Sequence, residues 1–205
     1  MQTYSPPSAE RDIIHPGCGL SVHRQYASAP IWIYFEGQYN VNMTAILLLF
    51  FDICRFKRNP QDIPSSFLLK NFVILTYFGS GLVYLWLISN EIEIPTVKAL
   101  LDSVLMLAMG YAALWTRGFE QRATQTITAL FGSGTIIYLF SLPLVLLPDG
   151  IHTLLSVGLS FWSIAIVGHI LSQALSIALG WGIGISFLYA ILQANLFAVL
   201  FLPNQ

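Results

Sequence analysis

Long apolar segments alternate with short polar loops over most of the chain. Three of these segments are clearly separated, and they predict membrane-spanning helices over 67–88, about 97–115 and about 127–147. Each approaches the roughly 20 residues that a helix needs to cross a hydrocarbon core about 30 Å thick. Pro143, near one end of the third segment, is expected to kink that helix.

A fourth apolar stretch, from 151 to 202, is too long for one span and long enough for two. Ser172, Gln173 and Ser176 form the polar cluster in its middle, so the turn between the two spans is predicted near 173–177. The flanking helices are then expected over about 154–171 and about 179–202. The pattern therefore predicts five transmembrane helices.

Residues 44–56 form a shorter apolar segment that Asp52 and Arg55 interrupt. With a rise of about 1.5 Å per residue it reaches only ~20 Å, which predicts a helix lying in the membrane interface or against the bundle. Asp52 and Arg55 are three residues apart and are expected to meet on one helix face. Pro60 and Pro64 prevent a continuous helix beyond this segment.

The first 42 residues show no sustained apolar period and contain four prolines, Pro6, Pro7, Pro16 and Pro30. Two interpretations stay open: a flexible tail, or an upstream extension of a protein whose physiological start is Met43. Peptides from 1–42 in the natively expressed protein would exclude the second. The predicted regions are thus this tail, an interfacial helix with a cytosolic turn over 43–64, and a five-helix transmembrane domain over 65–205.

The composition agrees with a membrane protein, since 56% of the 205 residues are hydrophobic and only 9% are charged. A soluble domain carries about 25% charged residues, so this chain must be solvated largely by lipid. A nucleic-acid-binding domain and a disordered regulator are excluded, and two cysteines are too few for a disulfide framework. The predicted fold class is an all-α polytopic bundle of five transmembrane helices with a short N-terminal interfacial helix.

Basic residues concentrate on alternate loops, which predicts the orientation of the bundle. The loops after the first and third spans contain no basic residue. The basic residues that precede or open the first span, or follow the second, are Arg55, Lys57, Arg58, Lys70, Arg117 and Arg122. The N-terminus is therefore expected inside and the C-terminus outside. Arg55, Lys57, Arg58, Arg117 and Arg122 are also a candidate interaction face for a partner or anionic lipid headgroups, unless they only set the topology.

Four polar residues in the predicted spans or at their ends form a candidate intramembrane polar site. Lys98 and Asp102 are four residues apart and are expected to pair, either to fix the helix at the interface or as part of an ion or proton relay. His169 and Gln173 have the same spacing, which suits a packing hydrogen bond or a proton switch. No second ligand stands at metal spacing, so no metal or cofactor is expected.

Small residues recur every four positions near the last turn, at Ser172, Ser176, Gly180 and Gly184. Gly182 and Ser186 add a second row. Such faces let helices approach closely, either within one bundle or between two copies of the chain.

Catalytic motifs are not recognisable, since the sequence contains no Walker loop, no Gly-x-Ser-x-Gly and no Cys-x-x-Cys-His. Ser160 and His169 are nine residues apart on one predicted helix, too far for the hydrogen bond of a nucleophile–base pair. The chain is therefore expected not to be an enzyme.

Arg58-Asn59-Pro60-Gln61-Asp62-Ile63-Pro64, Gly168-His169-Ile170-Leu171 and the five-span count resemble small bacterial inner-membrane proteins of Yip-like pattern. The resemblance implies an inner-membrane protein with a cytosolic N-terminus, a periplasmic C-terminus and a non-enzymatic role. That role would be membrane organisation or interaction with lipids, another membrane protein or a second copy. The alternative is a small ion or solute transport component using Lys98, Asp102 and His169.

Overall fold

The computed structural model describes residues 43–89 and 93–201, and the regular structure of these residues is helical. The α-helices in these ranges are α1 Met43–Cys54, α2 Phe67–Ile88, α3 Glu93–Trp115, α4 Ala123–Ser141, α5 Asp149–Leu175 and α6 Leu179–Phe201. Short 3₁₀ turns occur at Pro60–Asp62, Glu120–Arg122 and Leu142–Leu146. Helices α2 to α6 are long and apolar enough to cross a membrane. The predicted all-α bundle of five spans with a short N-terminal helix is confirmed.

Helix ends follow local chemistry that an apolar pattern only approximates. The N-cap of α2 is Ser66, whose Oγ accepts a hydrogen bond from the Leu69 amide at 3.4 Å. Helix α3 begins before its apolar run, because Pro95 is compatible with a first helical turn. The expected kink at Pro143 is not found within α4: the α-helix ends at Ser141, and the proline opens a 3₁₀ turn instead.

The α5–α6 turn lies at the polar cluster, although α5 continues to Leu175 before it ends. Ser176 adopts the left-handed conformation, with φ 53° and ψ 45°. The Ile177 amide donates to the Ser172 carbonyl at 3.0 Å, which satisfies one of the last carbonyls of α5. Ser172 and Gln173 thus belong to the last turn of α5, and Ser176 follows its end.

Helix α4 is the centre of the bundle and contacts α1, α2, α3 and α5. In its most apolar stretch 50% of the residues are buried within the protein, against 6% in α6, which packs mainly on α5. Two glycines make this central position possible. A Cβ added at Gly132 would meet the Phe50 ring of α1, and one at Gly134 would lie 2.5 Å from the Tyr77 ring of α2.

The short helix α1 packs against the bundle, one of the two predicted locations. Ile53 and Cys54 are fully buried, and burial raises the pKa of the Cys54 thiol to about 12. The predicted contact between Asp52 and Arg55 is wrong. Phe56, with φ 60°, reverses the chain after α1 and brings Arg58 to 3.7 Å from Asp52.

Candidate functional site

A buried carboxylate joins four of the five long helices. Asp102, on α3, is only 5% exposed. Its Oδ2 accepts hydrogen bonds from the Tyr77 hydroxyl of α2 at 2.6 Å and from the Tyr138 hydroxyl of α4 at 3.0 Å. Its Oδ1 accepts a hydrogen bond from the Gln193 amide of α6. These contacts make Asp102 the polar centre of the bundle.

Asp102 lies far from both ends of α3, whose bounds are Glu93 and Trp115. The rise per residue places it ~14 Å from the first end and ~20 Å from the second. A carboxylate at that depth is expensive unless its oxygen atoms are hydrogen-bonded, because lipid and apolar side chains cannot solvate it. All three donors are neutral, so they solvate the charge without cancelling it.

The predicted ion pair between Lys98 and Asp102 is not formed. The Lys98 ammonium lies over the Phe201 ring, 5.1 Å from its centroid, near the end of α6. Lys98 is one helical turn closer than Asp102 to the N-terminal end of α3, so its long side chain extends towards that end. In the segments 43–89 and 93–201, the interactions of Asp102 are therefore with uncharged groups.

A cavity of about 250 Å³ adjoins Asp102 between the helices. Its wall includes the Gln193 amide, four tyrosine rings and five serines: Tyr77, Tyr84, Tyr138, Tyr189, Ser141, Ser156, Ser160, Ser163 and Ser186. No lysine, arginine or histidine of the described ranges belongs to this wall. The wall thus mixes polar and apolar side chains and contains one acidic side chain, Asp102, with no cationic side chain of the described residues in it.

Hydroxyl groups of the wall differ in how they are satisfied. The Ser186 hydroxyl donates across the α5–α6 interface to the Ile164 carbonyl at 2.8 Å. The Ser160 hydroxyl donates to the Ser156 carbonyl within α5, also at 2.8 Å. The Tyr189 hydroxyl is buried and has no hydrogen-bond partner among the described residues. Buried polar groups are normally paired, so this hydroxyl is an exception inside the bundle.

His169 and Gln173 lie apart from this cavity, so the four predicted polar residues do not form one site. The His169 ring contacts the Phe56 ring edge-on, with centroids 5.2 Å apart, and its Nε2 is buried without a partner in the described part of the chain. The backbone carbonyl of Gln173 accepts a hydrogen bond from Gln61 at 3.5 Å. The expected hydrogen bond between the His169 and Gln173 side chains is absent from these described segments, and the His169 ring packs on Phe56 instead.

Comparison with known proteins adds no relative. No family model, curated protein or solved structure matches the chain. The Yip-like resemblance therefore stays a prediction. The described residues also contain no group of three or more His, Cys, Asp or Glu that would hold a metal ion.

The close contact between α5 and α6 uses the second row of small residues. A Cβ added at Gly168 would lie 2.7 Å from the Ile183 Cα, and one at Gly182 would meet the Gly168 carbonyl and lie 2.9 Å from the Ser172 Cβ. The interface therefore depends on Gly168 and Ser172 of α5 facing Gly182 and Ser186 of α6.

Of the four residues of the predicted packing face, only Ser172 lies in the contact between α5 and α6. The alternative, a contact between two copies of the chain, stays a prediction. Ser176 lies in the turn, while Gly180 and Gly184 are exposed, with no neighbouring atoms within 4 Å of an added Cβ. The four-residue row crosses a chain reversal, so its two halves do not continue on one helix face. On α6, the row that packs is displaced by two residues, which is close to the opposite side of a helix.

The predicted interaction residues lie at one end of the bundle, here called the basic end, which contains residues 55–64, 116–122 and 176–178. Arg122 donates to the Ser176 hydroxyl at 3.3 Å and the Ala174 carbonyl at 3.5 Å, which ties α4 to the α5–α6 turn. Arg58 pairs with Asp52 and Arg55 lies over the Phe51 ring. Lys57 and Arg117 are exposed. Internal contacts thus account for three of the five residues.

Proposed function

We propose that this chain is a multi-pass inner-membrane protein that binds a small cationic solute at Asp102, as a component of solute transport. The observation that carries the proposal is one deeply buried carboxylate, bound only by neutral donors, beside a cavity lined by tyrosine, serine and apolar side chains. The transport alternative from the sequence is retained with Asp102 alone, since Lys98 and His169 do not line the cavity.

Electrostatics supports a cationic ligand. Bringing a carboxylate into a membrane interior costs several kcal/mol, and neutral hydrogen bonds offset only part of that cost. A cation at about 4 Å would add roughly 4 kcal/mol of Coulomb attraction at an effective dielectric constant near 20. A bound solute would therefore supply the positive charge that the described residues do not place beside Asp102.

The test compares purified wild-type protein with Asp102→Asn, which keeps the shape of the side chain and removes its charge. We expect sodium, potassium or choline chloride, at matched ionic strength, to raise the melting temperature of the wild type. Asp102→Asn should lose the response. Glu120→Gln is the matched control, because Glu120 is an exposed carboxylate at the basic end. A wild type that responds to none of the three cations, or an Asp102→Asn variant that responds equally, would contradict the proposal.

A second candidate function follows from the basic end, where Lys57 and Arg117 are exposed beside residues held by internal contacts. Here the protein would bind anionic headgroups or an acidic partner from the cytosol, with the N-terminus inside and the C-terminus in the periplasm. Affinity purification in mild detergent should recover a stoichiometric partner or a homo-oligomer. A clean monomer would argue against this function, and reporter fusions to each loop would test the orientation.

A further inference from the structure

We infer that the cavity takes a small organic ammonium ion, of the kind represented by choline, rather than a metal ion. This inference deepens the proposed function and rests on it. It follows from four properties of the same cavity: its charge, its aromatic wall, its lack of metal-binding geometry and its volume.

The charge of the cavity favours a monovalent cation. Asp102 is the one carboxylate in the wall, and no basic side chain of the described residues balances it. A divalent ion would leave one positive charge uncompensated at membrane depth, which is costly. A single ammonium group would leave the site neutral.

Four tyrosines line the cavity, and aromatic rings attract cations. Tyr77 and Tyr138 have centroids 5.2 Å apart, and Tyr84 follows at 5.8 Å from Tyr138. Tyr189 completes the aromatic wall from α6. Aromatic rings together with a carboxylate are the surroundings that quaternary ammonium groups prefer, because these ions spread their charge over methyl groups and form no strong hydrogen bonds.

The oxygen atoms near Asp102 are poorly arranged for a metal ion. Calcium takes six to eight oxygen ligands and magnesium requires an octahedron, usually with more than one carboxylate. Here the described residues offer no acidic or histidine cluster. Two serine hydroxyls of the wall donate to backbone carbonyls of their own helices, Ser141 to Ile137 at 2.9 Å and Ser160 to Ser156 at 2.8 Å, which holds these oxygens against the helices. A diffuse cation needs no such directed set of ligands.

The size of the cavity fits a compact organic ion. At roughly 30 Å³ for each water in the liquid, its volume of about 250 Å³ corresponds to about eight non-hydrogen atoms. A trimethylammonium group with a short hydroxyl tail is of this size.

The experiment measures binding of three probes to the purified full chain by calorimetry: choline, its neutral isostere in which carbon replaces nitrogen, and potassium. We expect choline to bind at least about tenfold more tightly than either of the others. Equal binding of the neutral isostere would overturn the inference, because recognition would then not depend on charge. Potassium binding as tightly as choline through Asp102 would overturn the inference and leave the proposed function standing. If no probe depends on Asp102, both fail.

Paired variants separate the ring of Tyr189 from its hydroxyl group. Tyr189→Phe keeps the ring and should retain most choline binding, whereas Tyr189→Leu should weaken it about tenfold. Tyr111→Leu is the control, since Tyr111 is exposed and lies outside this cavity. If Tyr189→Leu does not fold, Tyr84→Leu and Tyr84→Phe make the same comparison on α2. Loss of choline binding that is equal in the Phe and Leu variants would contradict the role of the rings.

Discussion

Gly182 provides the sharpest test of how α6 is held in the bundle. An added Cβ at this position would meet the Gly168 carbonyl and lie 2.9 Å from the Ser172 Cβ and 3.0 Å from its amide nitrogen. Two of these three neighbours are backbone atoms, which no side-chain rotation can move. Gly182→Ala must therefore push α6 away from α5. Overpacking of this kind costs about 1–3 kcal/mol. Weakening of the interhelical bond from Ser186 to Ile164 adds about 0.6 kcal/mol.

Gly184→Ala is a control two residues further along the same helix. No neighbour lies within 4 Å of a Cβ added at Gly184, so this substitution creates no clash. It also lowers the conformational entropy that the backbone loses when the helix forms. We expect it to be neutral or to stabilise α6 by up to about 1 kcal/mol. The two variants make the same chemical change, but only Gly182→Ala should lower the free energy of unfolding.

The assay is reversible unfolding in mixed micelles, with helix content followed as the denaturing detergent is increased. The free energy of unfolding should fall for Gly182→Ala and stay level or rise for Gly184→Ala. If Gly184→Ala destabilises the protein as much as Gly182→Ala, then the row at Gly180 and Gly184 is a packed face after all. The α5–α6 arrangement described above would then be refuted.

Three further predictions concern the centre of the bundle and α1. Tyr77→Phe removes a hydroxyl that donates to Asp102 at 2.6 Å and should lower the free energy of unfolding by about 1–2 kcal/mol, whereas Tyr84→Phe should change it by less than about 0.5 kcal/mol in the same assay. Phe50→Ala empties the space against Gly132 and should cost at least about 2 kcal/mol, while Leu48→Ala, at a position 59% exposed, should cost far less; equal losses would contradict the packing of α1. Cys54 should resist maleimide at pH 8 until the protein unfolds, because its thiol is fully buried and its pKa, raised to about 12, keeps it protonated; rapid labelling of the folded protein in a Cys18→Ser background would disprove this burial.

The helices were predictable because their signal is local. An apolar run of sufficient length predicts a span whatever it packs against, and α2 begins and ends where the pattern places it, at Phe67 and Ile88. The polar cluster around Ser176 likewise located the last turn. Errors at helix ends came from capping and proline geometry, as at Pro143, where the hydrophobic pattern continues beyond the α-helix.

The site was only partly predictable because its contacts are between helices. Asp102 stood out as an acid within an apolar segment, but the nearest basic residue in sequence, Lys98, lies over Phe201 instead. The actual partners, Tyr77, Tyr138 and Gln193, come from three other helices. Of these three partners, Gln193 could have been suspected from the sequence, because its amide lies in the middle of an apolar span. Which side of a helix faces inward depends on its packing. On α6 the sequence offers two rows of small residues, Gly180 with Gly184 and Gly182 with Ser186, and their spacing alone does not show which row packs.

The most direct test of the central claim is a difference infrared spectrum of the purified protein, recorded as choline chloride is added. If the carboxylate of Asp102 receives a cation, its carboxylate stretching bands should shift on addition of choline. The shift should be absent in Asp102→Asn and preserved in Glu120→Gln. A wild-type spectrum that changes neither with choline chloride nor with potassium chloride, or a shift that persists in Asp102→Asn, would contradict the assignment of Asp102 as the cation-binding group.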